Sequence, residues 1–249
     1  MAKNKKPTEN VETMENNTVL EVSESIDTDT SNLELVQSGT QAMFSYGLGE
    51  SLAMEDIEQR IFYIDGEINE NIFREVNAFI MKFNAADAGI PSNERVPIKL
   101  IISSGGGQIL DGLGTIECIR NSIVPVIAVC TSYACSMAFY IFASAHVRLA
   151  TANAAFLNHD GEMYIGNSTS KTEDTMAFYK KITERLNKML ASRSKFTIKE
   201  LEDTKRIENW FFGDEARDLG IVDGIIGEDV AFEDIFTVDT DCCCGECDG

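Results

Sequence analysis

Short β-branched apolar runs alternate along this chain with longer segments whose apolar residues follow helical spacing. Strand-like runs lie at 97–102, 124–129 and 154–158, and helical spacing covers 71–83, 109–119 and 172–193. Short continuous apolar runs are typical of buried strands, and helices between them supply the crossovers that parallel strands require. The pattern predicts an α/β fold with a long helix late in the chain.

The two ends of the chain differ from the middle. Residues 1–41 contain no aromatic residue and are rich in Thr, Ser, Asn and Glu, a composition that buries too little apolar surface to order itself. We predict a polar N-terminal tail over 1–45, a single domain over 46–230 and an acidic, cysteine-rich tail over 231–249. A propeptide, a docking arm and a solubilising extension are all compatible with the N-terminal segment.

Residues 123–145 contain no charged residue and are long enough to cross a bilayer. The segment is interrupted by Pro125, Thr131 and Ser132, and its β-branched first part differs from its helix-forming second part. A buried strand followed by a buried helix fits this change better than a membrane span.

The net charge limits the kinds of partner that this protein is expected to bind. The formal charge is −20 over 249 residues, which disfavours binding to nucleic acid or to anionic membranes. The opening residues lead into polar sequence and not into an apolar signal segment, so a cytoplasmic location is expected.

The seven cysteines form two groups. Cys118, Cys130 and Cys135 lie in apolar segments and are expected to be small buried side chains. The others crowd the acidic end, at Cys242, Cys243, Cys244 and Cys247, with one C-x-x-C pair. One pair without histidines is a weak zinc signal, so no metal site is predicted, although the tail has the chemistry to bind a soft metal or be oxidised.

Ser136 is the first candidate catalytic residue. It stands where the strand-like run at 124–129 gives way to the apolar helical run at 134–145. The first N–H groups of a helix have no partner within it, so they are available to an oxyanion. A plain helix cap is the alternative, because serine is common at that position.

Three consecutive glycines, Gly105 to Gly107, end the strand-like run at 97–102. Without side chains, their N–H groups can approach a substrate closely. A simple tight turn is the alternative, and a phosphate loop is disfavoured because the lysine and Ser/Thr of that motif are missing.

A serine nucleophile needs a base, and the chain holds two histidines, His146 and His159. His159 follows the apolar run 154–158, at a strand end where an imidazole can face a cleft. His146 opens the run that contains Arg148. We therefore favour His159.

Together these motifs, SSGGG, SYACSMA, NHDGE and WFFGDEARDLGIVDGII in this order, resemble the proteolytic subunit of the Clp protease over residues 56–226. The resemblance implies a crotonase-like α/β spiral of βα units with a protruding handle helix. It also implies that Ser136 is the nucleophile, that His159 is the base, and that the N–H groups of Gly106 and Met137 form the oxyanion hole.

The third member of the implied triad departs from the family. Glu208 stands where the family has an aspartate, and Asp203 is the alternative carboxylate. Some hydrolase triads use either acid. Smaller departures are Ser104 in place of a proline, Ala138 in place of a glycine and Asp160 in place of a glutamine.

The resemblance implies a serine endopeptidase that acts on unfolded polypeptides inside a homo-oligomer of two stacked seven-membered rings. A separate AAA+ unfoldase would supply ATP hydrolysis, since this chain carries no nucleotide motif, and no cofactor is expected. A viral head-maturation protease of the same fold, a catalytically weak structural subunit and a crotonase-type acyl-CoA enzyme are the alternatives.

Overall fold

The computed structural model describes residues 48–162, 168–204 and 207–235. They fall within one compact unit, Leu48–Gly249. Most of both predicted tails lies outside the described residues, so the division of the chain into tail, domain and tail stays a prediction. The cysteine-rich end lies outside them as well.

Eight strands are assigned within the described residues. They are β1 Ile61–Ile64, β2 Ile98–Ile102, β3 Val126–Cys130, β4 Tyr133–Cys135, β5 Val147–Thr151, β6 Ala155–Asn158, β7 Asn209–Phe212 and β8 Gly224–Ile226. Five of them form a parallel sheet in the order β1-β2-β3-β5-β8, and β4, β6 and β7 form a second sheet in that order. The α/β class expected from the hydrophobic pattern is confirmed.

Seven α-helices are assigned within the same residues. They are α1 Leu48–Glu58, α2 Ala78–Ala86, α3 Ile109–Arg120, α4 Met137–Ser144, α5 Thr169–Ser192, α6 Ile198–Thr204 and α7 Gly213–Asp218. The helix expected over 71–83 is present in two parts, because a π-helical turn at Phe73–Asn77 leads into α2. The long helix expected late in the chain is α5.

The apolar character of the central strands follows from their position. All five residues of β3 are buried, and four of the five in β2 are buried. Strands of a parallel sheet that are covered on both faces lose the alternation of apolar and polar residues. This burial explains why the sequence has continuous apolar runs there.

Helix α4 lies at the centre of the core. Every one of its eight residues is buried. Phe139 and Phe142 contact Phe156 of β6, with ring centroids 6.3 Å and 4.9 Å apart. The uncharged segment 123–145 is thus divided into β3, β4 and α4. None of the helices in the described part of the chain combines the length and apolar character needed to cross a bilayer.

Two bidentate ion pairs connect distant segments. Arg60, just before β1, donates to both carboxylate oxygens of Asp87 at 2.6 Å and 2.9 Å. Arg148 of β5 donates to both oxygens of Asp223, just before β8, at 2.9 Å and 2.5 Å. The hydrogen bond from Arg60 holds the pKa of Asp87 below its ordinary value. Planar guanidinium–carboxylate pairs of this kind fix orientation as well as distance.

The three described cysteines have free thiols, and two of them, Cys130 and Cys135, are buried. Burial raises the pKa of Cys130 to about 12. A thiol with so high a pKa is a poor nucleophile and serves here as a small apolar side chain.

Candidate active site

The smaller sheet brings three sequence-predicted residues to one edge. β4 pairs parallel with β6, in a register that places Cys135 beside Leu157. β6 pairs antiparallel with β7, and Asn158 lies opposite Asn209. Ser136 follows β4, His159 follows β6 and Glu208 precedes β7. Because β7 runs antiparallel to the other two strands, all three residues lie at the same end of the small sheet.

Ser136 has an unusual backbone. Its φ is 53° and its ψ is −124°, and it is one of two non-glycine residues with positive φ in the described part of the chain. Such a conformation costs about 1–3 kcal/mol and persists only where the surroundings enforce it. Here the Ser136 N–H donates to the Leu157 carbonyl at 2.9 Å, which fixes the turn from β4 into α4. Strained strand-to-helix turns of this kind present nucleophilic serines in other hydrolases.

Ser136 and His159 line the same cavity. Tyr140, Asn158 and Asn187 also line this cavity. Both Ser136 and His159 are half-buried. Neither side chain has a hydrogen-bond partner among the described residues, and such contacts often tighten only when substrate binds. The cavity therefore offers a hydroxyl and an imidazole to the same bound group.

His146 occupies a different environment. Its Nδ1 accepts a hydrogen bond from the Val126 N–H at 3.1 Å, and the backbone N–H of His146 donates to the Val126 carbonyl at 2.9 Å. Burial, with a contribution from Arg193, lowers the pKa of His146. These contacts make it a neutral structural residue that joins the start of β5 to β3.

Tyr140 and Asn158 support the wall of the cavity. The Tyr140 hydroxyl donates to Asn158 Oδ1 at 2.9 Å, and both side chains are buried. Burial, and to a smaller extent the charge of Asp160, raises the pKa of Tyr140 well above its ordinary value. Tyr140 therefore stays protonated and keeps Asn158, the residue before His159, in a fixed orientation.

Glu208 is near His159 in the sheet register. The β6–β7 register pairs Asn158 with Asn209, so one further step along it places Glu208 opposite His159. The Glu208 side chain is exposed, and its Oε2 accepts a hydrogen bond from Trp210 Nε1 at 3.1 Å. Asp203, the alternative carboxylate, forms an ion pair with Lys199 at 3.2 Å on the surface of α6. The register favours Glu208 over Asp203.

The glycine loop contacts Ser136 directly. A Cβ atom at Gly106 would lie 2.7 Å from the Ser136 Cβ and 2.9 Å from the Met137 nitrogen. Only glycine fits at that position, whose φ is also positive at 97°. Position 106 requires glycine because the glycine loop is in direct contact with the start of α4.

The Gly106 N–H, which the resemblance assigns to the oxyanion hole, has a different partner in the structure. It donates to Ser104 Oγ at 3.1 Å. The Gly106 carbonyl accepts from the Ile68 N–H at 2.8 Å. In a trans peptide the carbonyl and the next N–H point in opposite directions, so the Gly107 N–H points away from Ile68. On that other side of the loop lies β4, which pairs with Ser104 and leads into Ser136.

The amides of Gly107 and of Met137, the first residue of α4, have no acceptor among the described residues. The sequence signal for Gly107 is the glycine run itself, which does not reveal which peptide faces the serine. Nor does the sequence indicate that Ser104 and Asn187 contribute to this region.

No group of three His, Cys, Asp or Glu residues is arranged to hold a metal ion within 48–162, 168–204 and 207–235.

The aromatic residues Trp210 to Phe212 alternate between the two faces of β7. Phe211 is buried in the core, whereas Trp210 and Phe212 are about half exposed.

Comparisons with known proteins identify the family of this chain. A family model described as Clp protease matches residues 50–229. The chain is also 28% identical over 182 residues to the ATP-dependent Clp protease proteolytic subunit 3 of Streptomyces coelicolor, a match that covers 71% of this chain and 80% of that protein. With a family match over most of its length and the predicted α/β fold, this chain belongs to the Clp protease family and is a Clp-type peptidase.

Proposed function

We propose that this protein is a serine endopeptidase in which Ser136 attacks the peptide carbonyl and His159 takes the hydroxyl proton. His159 then returns this proton to the leaving amine. In the second half of the reaction His159 takes a proton from water, the water oxygen attacks the acyl carbon, and the proton goes to the Ser136 oxygen as the acid product leaves. The observation that carries the proposal is the shared cavity, which is lined both by a serine with a strained backbone conformation and by a half-buried histidine.

We assign the oxyanion hole to the N–H groups of Met137 and Gly107, in place of Gly106. The Gly106 N–H is engaged by Ser104 Oγ, whereas the other two have no acceptor among the described residues. The Met137 N–H is also at the positive end of the α4 dipole. Preorganised amides of this kind stabilise the developing oxyanion by about 2.7–4 kcal/mol each in comparable enzymes.

Glu208 completes the proposed triad by orienting the His159 ring and stabilising its protonated form. Its position one step along the β6–β7 register supports this role. In the described structure its carboxylate is held by Trp210. A second candidate function, a catalytically weak structural subunit of a ring, rests on that contact, and casein turnover by the purified oligomer separates the two.

The test of the nucleophile is covalent labelling with a fluorophosphonate probe. Ser136→Ala is expected to abolish labelling, because no other described serine lies beside the cavity histidine. Ser132→Ala is the matched control, since Ser132 is an exposed serine in the same segment, and it should label like the parent protein. Labelling of Ser136→Ala at the parent level would place the nucleophile elsewhere.

Family membership also supports a homo-oligomer of stacked rings that encloses the active sites and works with an ATP-driven unfoldase in the cytoplasm. Unfolded polypeptides would be the substrates. Helix α5 presents a half-exposed apolar residue, Phe178, which such contacts between rings would cover. Negative-stain images of the purified full chain test the assembly, and particles of monomer size would contradict it.

A further inference from the structure

A second and larger space adjoins the catalytic cavity. This acidic groove lies between α5, α6 and the residues that follow β6. Four of its lining residues carry carboxylates, namely Asp160, Glu162, Glu184 and Glu202, and Lys180 is its one described cation. The roles proposed for the catalytic residues do not explain this charge.

The four carboxylates are not neutralised within the described residues. None of them has a Lys, Arg or His nitrogen within 4.0 Å there. Negative charges that face one partly enclosed space repel each other and create a negative potential in it. A positive group placed in the groove would lower the free energy of the whole arrangement.

Asn187 of α5 provides an independent sign of a ligand. It is 5% exposed, and its side-chain amide has no hydrogen-bond partner among the described residues. Its polar atoms are open to the space beside them, since Asn77 Oδ1 is the one fully enclosed side-chain atom without a partner in the described part of the chain. Asn187 lines both the acidic groove and the catalytic cavity, so its amide lies where a bound chain would pass from one to the other.

The two spaces are continuous. Besides Asn187, they share Ile109, Asp160, Gly161 and Thr183 as lining residues. Asp160 directly follows His159 in the chain. A peptide with its scissile bond at Ser136 would therefore place a neighbouring side chain in the acidic groove.

We propose that the acidic groove is a substrate subsite that takes a Lys or Arg side chain close to the scissile bond. The aliphatic part of such a side chain would lie against Ile109 and Tyr179, and its cationic end would be bound by the carboxylates, with Glu184 and Glu202 as the main determinants. The subsite rests on the proposed peptidase function.

The experiment compares two short internally quenched peptides that differ in one residue beside the scissile bond, lysine in one and uncharged norleucine in the other. Short peptides need no unfolding, so the full chain is assayed alone. Two partly exposed ion pairs give an expected preference for lysine of roughly tenfold in kcat/KM at low salt. This preference should fall towards about twofold at 1 M salt, where charges are screened beyond ~3 Å.

The decisive variant is the double substitution Glu184→Gln with Glu202→Gln, which should reduce the lysine preference to about twofold or less. Glu173→Gln is the matched control, because Glu173 is an exposed carboxylate on the same helix outside the groove, and it should keep the parent preference.

Equal cleavage of the two peptides by the parent protein would overturn the subsite while leaving the peptidase intact. A loss of preference in Glu173→Gln as large as in the double variant would also overturn it, since the effect would then come from net charge alone. If neither peptide is cleaved and Ser136 is not labelled, the proposed function fails and the subsite fails with it.

Discussion

Ser104 connects the segment after β1 with the glycine loop through one buried hydroxyl. Its Oγ donates to the Gly66 carbonyl at 2.5 Å and accepts from the Gly106 N–H at 3.1 Å. The side chain is 1% exposed. This contact orients the Gly105–Gly106 peptide, which directly precedes the peptide that carries the Gly107 N–H, so Ser104 is expected to be a positioning residue for the proposed oxyanion hole.

Ser104→Ala should lower kcat by roughly tenfold with little change in KM, a smaller loss than removal of an oxyanion donor itself. Affinity for a peptide boronate, which mimics the tetrahedral intermediate, should fall in parallel, and Ser104→Thr should restore both because it keeps the hydroxyl. A drop in thermal stability with unchanged kcat and boronate affinity would show that the contact is only structural.

Glu208 and Asp203 are distinguished by their neighbours. If Glu208 orients His159, Glu208→Gln should lower kcat on the order of a hundredfold, because an amide does not stabilise the protonated ring. Asp203→Asn should remain close to the parent, since Asp203 is paired with Lys199 on the surface of α6. Peptide turnover measures both, and the opposite order of effects would transfer the role to Asp203.

At the level of elements, the start of α7 is packed against the end of β5. A Cβ atom at Gly213 would lie 2.1 Å from the Thr151 carbonyl oxygen, which belongs to the backbone and has little freedom to move. The Gly213 N–H also donates to the Ala152 carbonyl at 3.0 Å. This contact fixes the end of β7, the strand that carries Glu208 at its start.

Gly213→Ala should therefore reduce the free energy of unfolding by about 1–3 kcal/mol, the usual cost of an extra methyl group in a tight contact. Gly89→Ala is the matched control, since a Cβ atom there would have no neighbour within 4 Å, and its effect should stay within about 0.5 kcal/mol. Urea denaturation measures both. Equal free energies of unfolding for the two variants would mean that the contact between α7 and β5 accommodates the extra methyl group without loss of stability.

For the whole molecule, His146 links stability to pH. The folded state keeps its ring neutral through burial and the hydrogen bond from Val126, so its folded pKa is lowered. The unfolded chain takes up that proton near pH 6.5. Below this pH the unfolded state binds more protons than the folded state, so the free energy of unfolding decreases as the pH is lowered. Asp87 acts at lower pH, because its stabilisation is lost only as pH falls below about 4 through its lowered folded pKa.

The free energy of unfolding should fall by up to about 2 kcal/mol between pH 7.5 and pH 5.0 through His146. His146→Gln should make this interval flatter, since glutamine does not titrate. Urea midpoints at the two pH values give the comparison. An equal decline in the parent and the variant would assign the pH dependence to other groups.

The local pattern of residues was sufficient for much of this molecule. Apolar runs predicted β2, β3 and β6, helical spacing predicted α3 and α5, and the transition at Ser136 predicted a strand-to-helix junction. Burial of one face imposes these periods on any sequence that forms such elements, so they can be read without knowing the partners. The position of His159 at a strand end follows from the same reasoning.

Only the tertiary structure decided which groups meet. The register of β6 with β7 sets Asn158 beside Asn209, the chain neighbours of His159 and Glu208, and the hydrogen bond from Ile68 to Gly106 turns the Gly107 N–H away from Ile68. Register and peptide direction depend on hydrogen bonds between distant segments, which composition and spacing do not encode. The acidic groove is of the same kind, because its carboxylates come from α5, α6 and the end of β6, and only folding places them around one space.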